Sequence, residues 1–491
     1  MFKTLPFAAF EAAAKTHRYI AVYQEIPGDT LTPIHALSAL KTKAKDLSLL
    51  QVNAPEGDTG AYSTLCFEPI ATLHAHGNDL TLDEQGDITQ VVGDPFDLLR
   101  SLQQRYRCAV THPHAGFAGG LVGYLRYGAI RLIESIPTRH QSPCDTPDLL
   151  FRYYRHHVVF DHPRQCIVLQ TIVSPTEPLS KSYQQACDTL DTLATYLTNC
   201  LPPDSSLGKN THKSKAPIAV DVSDADYINQ VNQAKAHITA GDIFQMVLSR
   251  TFSMPITASP LAIYRALTFT NPAPYHFYIE EGERTFIGAS PEKLLSIQGR
   301  KITSSPLAGT RRRGGCRDAE LAEALRNDPK EKAEHLMLVD LARNDVGRVA
   351  EPGSVSVTRC QEIEHHAHVM HLSSTVTGQL ERRYDVFDAI KASFPAGTLS
   401  GAPKIKAMSL IDALETSARG LYGGMICGID AQQNLTSCLA IRTAILANGQ
   451  ASVRAGAGIV HDSNPQAEAD ETRHKASAIL SGLLLAKGEH A

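Results

Sequence analysis

Two segments carry carboxylates on one plan. Asp328-Pro-Lys-Glu331-Lys-Ala-Glu334 and Asn464-Pro-Gln-Ala-Glu468-Ala-Asp-Glu471 each begin with a helix-capping side chain. Each continues with a proline suited to the first helical position, followed by two glutamates three residues apart. Residues i and i+3 share a helix face, so each helix points two carboxylates the same way near its N-terminus. If the two helices face each other, four oxygen-bearing groups converge. That set suits a hard cation such as Mg2+, which keeps waters and a substrate anion in its shell. A Glu-x-x-Glu pair also describes a solvated helix face, so from spacing alone both readings stay open.

Three further features suit an anion. Phe394-Pro-Ala-Gly-Thr-Leu-Ser-Gly-Ala-Pro-Lys404 is a run of small residues ahead of a helical pattern that starts at Ile405. Glycines let the backbone turn tightly and approach a ligand, and a helix start adds unpaired N–H groups with a positive dipole end. The alternative is a Gly/Pro-rich turn into a core helix. Arg454-Ala-Gly-Ala-Gly458-Ile-Val-His-Asp462 is a second small-residue stretch leading to a helix start. Arg442 lies inside the apolar, strand-like run Leu439-Ala-Ile-Arg-Thr-Ala, where an arginine is expected to pair with a carboxylate of the protein or of a ligand.

The elements that must position these groups are legible in outline. Strands are expected at 65–73, 156–160, 166–173, 285–289, 294–297, 301–304 and 369–376, and a helix over 182–197. A helix capped by Ser223-Asp224 runs to Gly241. In Asp242–Arg250 the residues Phe244, Met246 and Leu248 alternate with Gln245, Val247 and Ser249, which predicts a strand. Helices and strands come in blocks, favouring α+β. The polar, basic stretch 202–217 reads as a linker between residues 1–201 and 218–491.

With 491 residues the chain can hold two large domains or about three of ordinary size. It is 43% hydrophobic and 20% charged, an ordinary globular composition, and its net charge of −4 gives no electrostatic footprint for nucleic acid. No apolar run approaches the roughly 18 residues of a membrane helix, and Glu11 interrupts the mildly apolar N-terminus, so neither a membrane span nor a secretory signal is expected. The ten cysteines include no CxxC pair, which fits a reducing cytoplasm and argues against a zinc or dithiol site. Tryptophan is absent.

Taken together, these features resemble the chorismate-utilising enzymes, and among them the synthase subunits (component I) of anthranilate synthases. The resemblance is strong over about residues 215–485 and weak before them. It rests on Gly241-Asp-Ile-Phe-Gln-Met-Val-Leu-Ser, Gly288-Ala-Ser-Pro-Glu292, Pro306-Leu-Ala-Gly-Thr-Arg-Arg-Arg-Gly314, Glu334–Asp345, Val369-Met-His-Leu372, Phe394–Lys404 and Ala455-Gly-Ala-Gly458, in the family's order. It implies an anthranilate synthase-type α+β fold of interleaved β-sheets with flanking helices. Residues 1–201 would be regulatory and structural, and 218–491 the chorismate-binding catalytic region. It further implies Mg2+ between Glu334 and Glu471 with Glu331 and Glu468 in support. Chorismate would lie against Thr398, Tyr422, Arg442, Gly456, Ala457, Gly458 and Lys475. Glu292 would be the general acid for the departing ring hydroxyl, with His371, Gln245 and Thr310 completing the catalytic set.

Two positions bear on which family reaction is expected. Relatives that add water carry a lysine base where this chain has Gln245, and para-amino relatives often carry a lysine where it has Ala308. A glutamine cannot act as that base and an alanine cannot act as a nucleophile. The expectation is ammonia delivered ortho to the carboxylate, then anthranilate and pyruvate, as the first step of tryptophan synthesis. A 2-amino-2-deoxyisochorismate or aminodeoxychorismate product, and a non-catalytic chorismate or tryptophan sensor, are the alternatives. A glutamine amidotransferase subunit, in a cytoplasmic heterotetramer, is the expected ammonia source. The family's tryptophan-inhibition site commonly begins Leu-Leu-Glu-Ser, where this chain has Leu49-Leu50-Gln51-Val52. Asn271, Pro274 and Tyr275 match that site's other wall, but His276 replaces the usual methionine. Weakened tryptophan inhibition is expected.

Overall fold

The computed structural model describes residues 3–53, 61–109, 112, 117, 119–140, 146–201, 217–365 and 369–487. The linker expected at 202–217 lies outside them except for Pro217. The architecture is α+β, built on antiparallel strands. Those used below are β1 (Ser48–Val52), β2 (Tyr62–His76), β3 (Gly120–Leu125), β4 (Leu149–Asp161), β5 (Gln245–Pro255), β6 (Tyr275–Glu281), β7 (Arg284–Ser290) and β8 (Ser296–Gln298). They continue as β9 (Lys301–Ser304), β10 (Leu307–Arg312), β11 (Val369–Gln379), β12 (Met425–Asp430), β13 (Leu435–Leu439), β14 (Thr443–Ala447) and β15 (Gln450–Ile459).

The ladder forks at β4. One arm runs β4–β2–β1–β6–β7–β14–β15–β5, and the other β4–β3–β12–β13–β8–β9–β11–β10. Each arm crosses between the sequence halves once, at β1–β6 and at β3–β12, so the halves are interleaved strand against strand. Four helices matter for the site: α1 (Asp224–Thr239), α2 (Pro329–Gly347), α3 (Lys404–Leu414) and α4 (Pro465–Lys487). Val346 of α2 packs in a core with Ile302, Val376 and Leu439 of the second arm, while Ile479 and Leu483 of α4 pack with Ile287, Ala444 and Val453 of the first. Each carboxylate-bearing helix is thus seated on a different arm.

Both cap-then-proline starts form as expected. Asp328 Oδ1 accepts from the Glu331 N–H at 3.3 Å, and Asn464 Oδ1 from the Ala467 N–H at 3.0 Å. Ser223 caps α1 in the same way. The expected strand at 242–250 begins three residues late, and Phe244 is 72% exposed rather than turned inward. Over Gln245–Arg250 both faces of β5 are buried, and Met246 and Leu248 pack in one core with residues of α1, α3 and α4, so alternation of polarity misreads this stretch. Arg250 of β5 is fully buried, held by Thr472 Oγ1 (2.9 Å), the carbonyls of Val222 and Ala469 (each 3.0 Å) and Asp224 (2.8 Å). Among the described residues no helix is long and apolar enough to cross a membrane.

Gly401 lies where β5 receives a short bridge from Gly401–Ala402. Its φ is +151°, and a Cβ there would meet the Gln245 carbonyl oxygen at 2.2 Å. Gly401→Ala is expected to destabilise the fold by more than about 1 kcal/mol and to detach this bridge from β5. A thermal midpoint equal to that of the parent chain would contradict it.

Candidate active site

The Phe394–Lys404 run folds as a short helical turn (Gly397–Leu399), the Gly401–Ala402 bridge, and the start of α3. The N–H groups of Leu399 and Ser400 close on the Ala396 and Gly397 carbonyls, so they are not the anion-facing donors that the glycines suggested. What the turn presents instead is Thr398, whose hydroxyl donates to Glu292 Oε1 at 2.9 Å. Lys404 Nζ reaches Asp345 Oδ2 of α2 at 2.9 Å and ties the turn to that helix.

The other side of the turn is held by residues to which the sequence assigned no role. Glu415 is buried between Arg419 (2.7 Å) and Arg454 (2.9 Å), and it accepts from the N–H and hydroxyl of Ser249 at 2.8 Å each. Arg419 also donates to the carbonyls of Leu399 (2.6 Å) and Val247 (2.5 Å). Its guanidinium lies 4.4 Å from the Tyr127 ring centroid and 5.7 Å from that of Tyr422. The sequence signal was a Glu-x-x-x-Arg spacing just before Tyr422. It resembles an ordinary surface helix pair, although Arg419 lies beyond the end of α3.

Glu292 follows β7 and sits half-buried opposite Thr398. Burial pushes its carboxyl up to about 7, against the opposing pull of the Thr398 hydrogen bond and the Lys475 charge. A carboxyl so placed can hold a proton near neutrality and deliver it, as general acid catalysis requires. Gln245 is buried at the start of β5. Its Oε1 has no hydrogen-bond partner among the described residues, and its Nε2 is 2.9 Å from where a Cβ would stand on Gly458.

Strand β14 pairs with β15 only as far as Val453, so, among the described residues, 454–459 keep one edge free of strand partners while β5 takes the other. Gly456, Ala457 and Gly458 lie on this stretch. The Gly456 carbonyl accepts from Lys475 Nζ at 3.0 Å, and a Cβ on Gly456 would meet the Tyr422 hydroxyl at 2.7 Å. Burial holds the Tyr422 phenol up near 12, so it stays a neutral donor. Arg442 joins β13 to β14 with φ +48°, a left-handed conformation that costs a non-glycine residue energy and tends to occur at functional sites. No carboxylate or carbonyl among the described residues bonds its guanidinium, and burial depresses its pKa. It is a cation placed for an anion that the protein itself does not supply.

On the second arm, β10 bulges between Ala308 and Thr310, with Gly309 at φ +60°. Thr310 pairs in register with His371 of β11, and His371 Nδ1 donates to the Gly309 carbonyl at 3.2 Å. The glycine also admits α2: a Cβ there would meet Glu331 Oε2 at 2.8 Å. Glu331, Glu334, Glu468 and Glu471 are all half-buried in the opening turns of α2 and α4, where the helix dipole favours carboxylates. They do not form a ready-made cage. Among the described residues no three His, Cys, Asp or Glu side chains gather as metal ligands, and Glu471 is paired with Lys475 at 2.7 Å. An all-carboxylate set of this openness suits Mg2+, whose shell is usually completed by waters and a substrate anion.

The expected inhibitor residues also come together. Gln51 lies opposite His276 and Val52 opposite Tyr275 in the β1–β6 pairing. Their polar groups are already spent. Gln51 accepts from the Tyr264 hydroxyl and donates to Ser63 at 3.3 Å. His276 donates to the Asn271 carbonyl (2.9 Å) and takes the Asn53 amide (3.2 Å), while the Pro274 carbonyl accepts from the Asn53 N–H. Burial lowers the His276 pKa and keeps the ring neutral.

A family profile described as chorismate binding enzyme matches residues 51–481. The chain is 39% identical to anthranilate synthase component 1 of Streptomyces coelicolor over 98% of its length and 92% of the relative's. It is 35% identical to the Bacillus subtilis protein of that name over 98% and 95%. The crystal structure of anthranilate synthase component I from Streptococcus pneumoniae superposes with a TM-score of 0.75 at 36% identity, covering 92% of this chain and 98% of that one. The menaquinone-specific isochorismate synthase MenF of Escherichia coli shares the fold at 18% identity, with a TM-score of 0.71 over 97% and 98%.

Thr398→Val removes the hydroxyl that donates to the Glu292 carboxylate and stabilises its ionised form. The Glu292 titration, followed by carboxyl infrared or carbon-13 signals, is expected to move upward from about 7. A titration that stays in place or falls would contradict the assignment.

Proposed function

The chain belongs to the chorismate binding enzymes, and from that premise we infer that it is the synthase component of an anthranilate synthase. It converts chorismate and ammonia to anthranilate, pyruvate and water. The observation that carries this choice within the family is Gln245, a buried side chain with an unpaired amide oxygen where a hydrating enzyme needs a lysine base. That oxygen can accept an N–H of ammonia and hold its lone pair toward the ring. Ala308, on the neighbouring arm, cannot act as the nucleophile that a lysine at that position would supply.

The substrate carries two carboxylates. Arg442, unpartnered among the described residues, takes the enolpyruvyl carboxylate, with the Tyr422 hydroxyl and the β15 edge at Gly456–Gly458 beside it. Mg2+ held by Glu334 and Glu471, with Glu331 and Glu468 behind them, would neutralise the ring carboxylate. Lys475 lines the same end and shares Glu471. Ammonia forms the new C–N bond ortho to the ring carboxylate while Glu292 gives its proton to the departing hydroxyl, which leaves as water. The ring C–H proton is then lost, the enolpyruvyl ether C–O bond breaks, and the enolpyruvyl methylene takes up a proton, releasing pyruvate and the aromatic amine. We assign this second step to His371, whose ring is oriented by the Gly309 carbonyl. A glutamine amidotransferase partner supplies the ammonia, in a cytoplasmic assembly serving tryptophan synthesis. The side chains of Gln51 and His276 are engaged by Tyr264, Ser63, Asn53 and Asn271, which weakens any hold on a bound tryptophan.

Purified chain given chorismate, Mg2+ and ammonium at alkaline pH is expected to produce fluorescent anthranilate and equimolar pyruvate. A non-aromatic amine, or no product, would overturn the assignment. Glu471→Ala should abolish Mg2+-dependent turnover. At fixed free ammonia, kcat/KM for chorismate should fall as pH rises through about 7, because Glu292 loses the proton it must donate. A rate that climbs through that range would argue for another acid. Micromolar tryptophan is expected to leave the rate unchanged, and competitive inhibition against chorismate would show that the replaced site still binds it.

A further inference from the structure

Resting on the function just proposed, we propose that Arg419 is a positioning residue for this reaction. It touches no reacting atom, yet it fixes two of the walls between which the substrate is held. One wall is the 397–399 turn. Arg419 Nη1 holds the Leu399 carbonyl at 2.6 Å, one residue beyond Thr398, whose hydroxyl bonds the acid Glu292. The second wall is Tyr422, whose ring lies 5.7 Å from the guanidinium and whose backbone N–H donates to the Arg419 carbonyl at 3.2 Å. The third grip, Nη2 to the Val247 carbonyl at 2.5 Å, ties both walls to β5, two residues beyond Gln245.

The guanidinium is itself fixed by Glu415, which accepts from Nε and Nη2, and by the Tyr127 ring over its face. Three directions of donation in one plane, plus a stacking face, are what a guanidinium offers and an ammonium does not. Lysine at 419 could keep the charge beside Glu415 but could not also hold both the Leu399 and Val247 carbonyls. The Thr398–Glu292 pair and Tyr422 would then shift by fractions of an ångström. Such misplacement costs rate at saturating substrate far more than it costs folding.

The test compares Arg419→Lys with Arg152→Lys. Arg152 is an equally buried arginine that bonds Asp46 and the Glu280 carbonyl, away from these groups. Activity is expressed per folded molecule by circular dichroism and active-site titration. Arg419→Lys is expected to lower kcat about 100-fold with a smaller change in KM, while Arg152→Lys keeps the parent kcat. Because Arg419 acts through the turn, adding Thr398→Val to Arg419→Lys should slow the enzyme no further than the slower single variant. If Arg419→Lys does not fold, Ser249→Ala, which leaves Glu415 only the Ser249 N–H and takes away the acceptor of Arg454 Nε, is expected to show a smaller loss with the same non-additivity. A parent-like kcat in the folded Arg419 variant, an equal loss in Arg152→Lys, or losses that multiply with Thr398→Val would overturn the inference. Failure of the parent chain itself to make anthranilate would instead sink the functional assignment, and that result is read before any variant is compared.

Discussion

One carboxylate, Glu415, organises the ground on which the substrate pocket stands. It lies out of water between two guanidiniums and accepts from Ser249, so three separate stretches of chain meet at its two oxygens. Burying these charges is costly, and the cost is offset because nearly every donor has an acceptor: the Leu399, Val247 and Ala418 carbonyls and the Ser417 hydroxyl. The cluster carries one formal positive charge in excess. That charge lies behind the wall that Thr398 and Tyr422 present, and its field favours anions there.

The forked ladder explains how residues so far apart in sequence come together. The first arm ends in β15 and β5, with Gln245 and the free edge at Gly456–Gly458. The second ends in β11 and β10, with His371 and the Gly309 bulge. The 394–404 segment bridges them: it pairs with β5 through Gly401–Ala402 and is bolted to α2, the second arm's helix, by Lys404 and Asp345. Burial raises the Asp345 pKa against the pull of Lys404. That bolt therefore depends on a pairing good enough to keep a carboxylate charged in a dry place.

Legibility in the sequence followed how local each cause was. The two cap-then-proline helices, the Ser223 cap and the strand at 301–304 were readable because their causes lie within a few residues. The motif residues Glu292, Thr398, Tyr422, Gln245 and Arg442 were readable as a family pattern, and they fall on adjoining elements. What could not be read was set by distance. Arg419 and Glu415 look like a solvated pair until the fold closes over them. Phe244 alternates with Met246 and Leu248 in the sequence, yet it lies one residue before β5 and is exposed. Nor does spacing tell that Glu471 turns to Lys475 or that Glu331 leans on Gly309, so an open carboxylate set could not be told from a closed cage.

Arg442, strained in its backbone and unpaired in its side chain among the described residues, has a consequence for how the cycle ends. On the proposed chemistry one molecule spans two cationic grips, and each grip strengthens the other because a single tether joins the two carboxylates. Cleavage of the enolpyruvyl ether cuts that tether. Each product then keeps only one carboxylate and one grip, and the effective concentration that held both ends in place is gone. Breaking the bond is thus also what loosens the pocket's hold, and turnover needs no separate device to expel its products.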